Sequence, residues 1–194
     1  MKRTLHLASF AIHAGPEAPD VSFVPPMSRR RLSPLQKIFF ALADAAGAGD
    51  SDRIVFASRD GEDSLTRRLV ADFREDASVS PHRFSTSVYN AAPGLWSVHA
   101  GNRESYTAIA AGEDTIECGL LETVFLEGPS LFVYAEETSG GYGAAARFAE
   151  GGGRRMEVEL ADGSGGPVGF GAWADFLAGR TGEIRGRHLI LRDA

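Results

Sequence analysis

The chain has 194 residues, a hydrophobic fraction of 43% and a formal net charge of −6, so it can bury a real core and is not disordered by composition. The negative balance argues against a general nucleic-acid binder, and no apolar run approaches the length of a membrane span. A single cysteine cannot form an internal disulfide, so a reducing cytoplasm is the expected location.

The N-terminal stretch MKRTLHLASFAIHAGP begins basic and turns apolar, in the manner of a secretion leader. His6 and His13 interrupt the apolar run and no small-x-small cleavage site closes it, so Thr4 to His13 is read as a first strand. Gly15 to Pro26 holds four prolines and reads as a loop. Ser33 then offers an N-cap, Pro34 suits the first helical position and Gln36 completes a capping box. Leu35, Ile38, Phe39 and Leu42 give that helix an apolar face, and Gly47 stops it. Arg53 to Ser58 predicts a short buried strand, and residues 63 to 75 a helix with Leu65, Leu69 and Phe73 at intervals of four. Between 78 and 101 the sequence is rich in Ser, Ala and Gly, and Pro93 leaves its helical reading open.

Tyr106 to Ala110 is short, apolar and partly β-branched, as a buried strand tends to be. From Glu113 the period changes to that of a helix: Ile116, Leu120 and Val124 are spaced by four, and Leu121 and Phe125 widen the stripe. Glu113 and Asp114 sit in its first turn, opposing the positive end of the dipole, and Gly128 is a stop signal. Residues 130 to 137, SLFVYAEE, predict another buried strand. Strands alternating with helices give an α/β sheet flanked by helices. The last third is different: Gly140 to Gly153 is Gly-rich, RMEVELAD alternates as a half-exposed strand, Gly169 to Leu177 predicts a short helix and RHLILRD a final strand. A single domain is expected, with a core over 1–137 and a small β-rich C-terminal extension over 138–194.

Reactive motifs are scarce. Cys118 falls beyond the first turn of its helix, gains little from the dipole and reads as a packing residue. The five histidines show no metal-ligand spacing, so no metal or other cofactor is expected. There is no GxSxG elbow and no Walker loop. Gly141, Gly143 and Ala146 echo a dinucleotide fingerprint, but Gly-rich sequence follows where a helix would begin, so a hairpin or loose loop is expected. Arg29, Arg30 and Arg31 read either as a solvated helix approach or as a docking spot for an acidic partner.

Taken in order, VPPMSRRRLSPLQKIFFALADA, VFASRDGED, SPHRFSTSVYNAAPGLWSV, SYTAIAAGEDTIE and SLFVYAEE resemble the small β-ketoacyl-synthase-like proteins of aryl polyene pigment clusters. These are similar to the chain length factors of type II polyketide systems. The resemblance covers residues 1 to 137 well and the tail loosely. Catalytic relatives have the thiolase fold, two similar α/β halves, with a nucleophilic Cys where a strand of the first half meets a helix. That alignment puts Gly112 at the Cys position, and the chain is too short for the second half that supplies the assisting His and Asn residues. The resemblance therefore implies a half-thiolase unit without catalytic residues, paired with a full-length β-ketoacyl synthase as a heterodimer. It implies an interface over residues 84 to 111, with Phe84, Val88, Tyr89, Asn90, Leu95 and Trp96 at the interface or shaping the acyl tunnel. It also implies acyl carrier protein docking at Arg29, Arg30 and Arg31. Each large apolar residue has a plainer reading as core packing. Two other functions remain open: a free-standing small acyl-binding or acyl-transfer enzyme using Cys118 or a Ser–His pair, and a homo-oligomeric scaffold without a ligand.

Overall fold

The computed structural model describes residues 2–15 and 17–194. Strand β1 (Lys2–Ala14) leads through a loop and a four-residue helix, α1 (Pro26–Arg29), to α2 (Pro34–Ala45). α1 was not foreseen, because two prolines at its start mask a single turn. α2 begins as its sequence dictates: the Ser33 hydroxyl accepts from Gln36 N at 3.0 Å while the Gln36 side chain accepts from Ser33 N at 3.0 Å. β2 (Arg53–Ala57), α3 (Asp63–Asp76), α4 (Pro81–Ser85), α5 (Ala91–Ala100) and β3 (Tyr106–Ile109) follow. Pro93 does not prevent α5, since it falls in the first turn, where a missing N–H breaks no helical bond. Then come α6 (Thr115–Phe125), β4 (Ser130–Glu136), β5 (Tyr142–Ala149), β6 (Arg154–Leu160), α7 (Phe170–Leu177), β7 (Glu183–Arg185) and β8 (Leu189–Asp193).

The strands form one mixed sheet in the order β3-β2-β4-β5-β1-β6-β8-β7. β2 runs parallel to β3 and β4, and the remaining pairs are antiparallel. β2 and β4 are buried on both faces, which explains their unbroken apolar runs. Ile54, Phe56, Leu131 and Val133 point to one face, where they meet Phe39, Phe40 and Trp96 of α2 and α5. Val55, Phe132 and Phe148 point to the other, against Ile116 and Leu120 of α6 and Trp173 and Phe176 of α7.

Four local expectations need correction. The Gly-rich stretch after β4 holds β5, a central strand paired antiparallel with β4 and β1, so the hairpin reading holds and the loose-loop reading does not. Its small residues serve close packing: a Cβ at Gly143 would lie 2.8 Å from Leu42 Cδ1 of α2. β3 is an edge strand and not a buried one, with Tyr106 40% exposed. Phe125 does not extend the buried stripe of α6; it is 56% exposed because the helix ends as the chain turns toward β4. On α3, Leu69 is buried and Phe73 is exposed.

The C-terminal residues are woven into the same sheet. β1 pairs with β5 through residues 6–14 and with β6 through residues 2–7, so the first strand stitches the two regions together. A fully buried carboxylate adds a second tie. Glu117 of α6 accepts backbone N–H groups from Val168 (3.1 Å), Arg187 (3.2 Å), His188 (2.7 Å) and Leu189 (3.2 Å). A Cβ at Gly186 would overlap the Glu117 carboxylate, so glycine is required there. Glu117→Gln replaces one accepting oxygen by a donor and leaves buried N–H groups unpaired at roughly 1–3 kcal/mol each. The expected loss is about 3–5 kcal/mol in urea unfolding, with faster amide exchange at residues 168 and 187–189; a loss below about 1 kcal/mol would refute the clamp.

Candidate functional site at the β3–α6 junction

β3 ends at Ile109, and a single 3₁₀ turn, Gly112–Asp114, carries the chain into α6. The Thr115 hydroxyl locks this turn, accepting from Ala111 N at 3.0 Å and donating to Gly112 O at 2.7 Å. Gly112 has φ +59°, a conformation that glycine adopts freely and other residues adopt with strain. No heavy atom beyond its chain neighbours lies within 4 Å of where a Cβ would sit at 112. The turn therefore presents an unfilled position to a cleft of about 240 Å³. Arg59, Glu113, Tyr134 and Tyr142 line the cleft with Val168, Gly169 and Phe170 from the C-terminal region, and the Phe170 ring lies 4.9 Å from that of Tyr142.

Of the charged groups around the cleft, Glu136, Arg59 and Asp114 are paired within the chain, while Glu113 lines the cleft and is exposed. Glu136, at the end of β4, accepts from the Ser58 hydroxyl (3.1 Å), from Asp60 N (3.2 Å) and from Arg59 N. Burial pushes its carboxyl above the usual carboxylate range, against those donors. Burial, with Glu136 and Tyr142 nearby, also holds the Tyr134 phenol far above its usual range, so it stays protonated. The Arg59 guanidinium pairs with Asp60 at 2.9 Å. Asp114 pairs with Arg187 at 2.8 Å and His188 at 3.2 Å, and these partners hold its carboxyl below the usual range. Burial, then Asp114 and Glu117, push the Cys118 thiol up, away from the reactive thiolate. Among the described residues no histidine side chain is hydrogen-bonded to Cys118 or to a serine hydroxyl; the polar partner of His188 is Asp114. The arrangement has no assembled nucleophile and base.

The remaining candidate residues fall in three places. Phe84 (63% exposed), Val88 (48%) and Tyr89 (36%) lie on α4 and the turn before α5, with Asn90 exposed beside them. Tyr89 has a structural duty as well: its hydroxyl lies 2.9 Å and 2.7 Å from the carbonyls of Ser58 and Arg59, and its ring covers Gly61. Leu95 is half-buried and lines an apolar hollow on the α2 side. Trp96 is buried in the chain's own core, edge-on to Phe39 and Phe40, so its packing reading is satisfied without a partner. Arg29 is half-buried at the end of α1, and Arg30 and Arg31 are exposed.

Four buried carboxylates had no reading in the sequence: Asp52, Glu62, Glu117 and Glu136. Glu62 accepts from Ser33 Oγ (3.0 Å) and Gln36 Nε2 (2.8 Å), and burial pushes its carboxyl up to about 7. The signal that could have found Glu136 is an acid closing a run of wholly apolar strand residues.

Residues 6–138 match the family described as β-ketoacyl synthase, N-terminal domain. The chain belongs to this family. Its fold is the thiolase-like α/β fold of ketosynthases. A similar solved structure is that of a ketosynthase (ApeO) in complex with its chain length factor (ApeC) from Xenorhabdus doucetiae. The match has a TM-score of 0.79 at 19% identity and covers 97% of this chain and 99% of the matched one. The ishigamide ketosynthase/chain length factor is also similar, with a TM-score of 0.63 at 12% identity over 84% of this chain and 68% of the matched one. Comparison with curated proteins finds no match. No helix among the described residues is long and apolar enough to cross a membrane.

The reactivity of the junction is directly measurable. In Gly112→Cys the new thiol would face the open cleft at the start of α6, where N–H groups favour a thiolate, at a backbone cost of about 1–2 kcal/mol. Iodoacetamide at pH 7 is expected to modify it at least tenfold faster than it modifies Cys118 in the unaltered chain. Equal rates would show that the junction does not activate a thiol.

Proposed function

We propose that this protein is a non-catalytic, chain length factor-like subunit that pairs with an active β-ketoacyl synthase in aryl polyene or related polyketide synthesis. Gly112 carries the reading: a strand–turn–helix junction of ketosynthase type opens on a cleft and lacks a reactive side chain. The similar structures support it, since both are named as ketosynthases with chain length factors. The competing acyl-transfer reading is disfavoured by the protonated Cys118 thiol and by the lack of a base beside it.

The pairing surface is the open edge of β3 with the apolar residues near it. An edge strand presents unpaired N–H and C=O groups, and Tyr106, Phe84, Val88 and Tyr89 add exposed apolar area on that side of the fold. Phe84 and Leu95 are the side chains placed to limit the acyl chain, while Trp96 supports them from the core. Arg29, Arg30 and Arg31 form the docking spot for the acidic acyl carrier protein.

Co-expression with a full-length ketosynthase from the same source, followed by size-exclusion chromatography, tests the pairing. Co-elution is expected, and Phe84→Asp is expected to weaken it at least tenfold without unfolding a chain in which that residue is largely exposed. Separate elution of the unaltered proteins would overturn the reading. In a stable complex, Phe84→Ala is expected to lengthen the polyene products seen by mass spectrometry; an unchanged product distribution removes Phe84 from the tunnel.

Carrier-protein docking is tested with Arg29→Glu combined with Arg30→Glu. Affinity for the carrier protein should fall at low salt, and the difference should shrink as salt rises and docking by the unaltered complex weakens too. Equal affinities at low salt would make these arginines a solvated face.

A further inference from the structure

On the α2–α5 side of the sheet two hollows meet, sharing Arg31, Leu32, His82 and Thr86 in their walls. The first, of about 230 Å³, is mainly apolar and is walled by Val24, Leu32, Phe40, Leu95 and Val98. The second, of about 400 Å³, is a cleft of mixed lining that carries Arg30, Arg31, Arg68, His82 and Arg83. No carboxylate lines either one, although the chain has 26 acidic residues against 20 Lys and Arg. Arg83 is paired with Asp72 at 3.0 Å, whereas Arg30, Arg31 and Arg68 take part in no ion pair among the described residues. Neither hollow shares a lining residue with the cleft at Gly112.

We propose that these joined hollows bind an anionic amphiphile, with a hydrocarbon chain in the apolar slot and a carboxylate or phosphate head on Arg31, flanked by Arg30 and Arg68. Each half of the site accounts for one half of the ligand. An apolar slot open to solvent gains by burying hydrocarbon. Unpaired cations gathered in a concave site focus a positive potential that favours an anion over water. Arg31 lines both hollows, so a chain end in the slot brings its head to the guanidinium. A cavity of roughly 150 Å³ holds benzene, so the observed slot has room for a chain of about eight carbons. This site needs no partner subunit, and its test uses the full-length chain by itself, so its outcome is separate from that of the pairing experiment.

The probes are hexanoate, octanoate and octyl phosphate, with octanol and inorganic phosphate as controls, titrated calorimetrically. Octanoate or octyl phosphate is expected to bind, with affinity rising about threefold to fourfold for each methylene added between six and eight carbons. Octanol and inorganic phosphate are each expected to bind at least fivefold more weakly. The better of the two anionic heads, by tenfold or more, identifies the source as a free acid or a phosphate monoester. Arg31→Ala should lower affinity for the anions at least fivefold and leave octanol unchanged. Val98→Glu, at a site that is 84% exposed and so safe for folding, should abolish anion binding by placing a like charge at the rim. Leu95→Trp should block the slot to all chains, its thermal transition being checked against the unaltered chain. The proposal is overturned if no anion binds at millimolar concentration, if octanol binds as well as octanoate, or if binding survives both Arg31→Ala and Val98→Glu.

Discussion

The architecture around the junction depends on one carboxylate. Glu117 sits in the first turn of α6 with both oxygens engaged by backbone N–H groups from two separate C-terminal segments. A buried carboxylate is costly unless its lone pairs are satisfied, and four donors satisfy them. The same four donors would be orphaned without it. The tie therefore works in both directions: α6 cannot hold Glu117 in the core without the tail, and the tail cannot lie over α6 without Glu117. Gly119, on the same helix, sets the depth of this arrangement, because a side chain there would run into Phe132 and Ala57 of the sheet.

From that tie the cleft follows. Val168, held through its N–H, and the adjoining Gly169 and Phe170 form the wall that faces Gly112. Arg187 and His188 meanwhile occupy Asp114, the last residue of the turn after Gly112. Glu136, Arg59 and Asp114 are here spent on contacts within the chain. The shape of the junction is held by interactions that do not require a reactive side chain at position 112.

How much of this was legible in the sequence depended on range. The α2 start was readable to the residue, because Ser33, Pro34 and Gln36 act on one another within one turn. β2 and β4 were readable from their apolar runs alone. The junction at Gly112 was found from local periodicity, and its meaning came from resemblance. The failures were non-local. Nothing within β3 says that it lies at an edge, since edge position is decided by which strand does not join it. β5 was obscured because its small residues answer to close packing on both faces, Gly143 and Ala145 toward α2 and Ala144 and Ala146 toward the α6 and α7 cluster, contacts set far away in sequence. Glu117 read as an ordinary helix acid, and its role depends on segments fifty to seventy residues later.

The C-terminal region closes one face of the sheet: Trp173, Phe176 and Leu177 of α7 are fully buried against the α6 side, and Leu189 and Leu191 of β8 close the same cluster. The exposed apolar residues Tyr106, Phe84 and Val88 sit instead with the β3 edge and the α4–α5 segment. The two sides of the molecule thus divide the problem. The tail satisfies the side that carries the inert junction, within the chain and at no cost in recognition. The side left open combines unpaired strand groups, which favour addition of another strand, with apolar side chains that favour a dry contact. One side is thus finished within the chain, while the other keeps groups that a further strand and an apolar surface would satisfy.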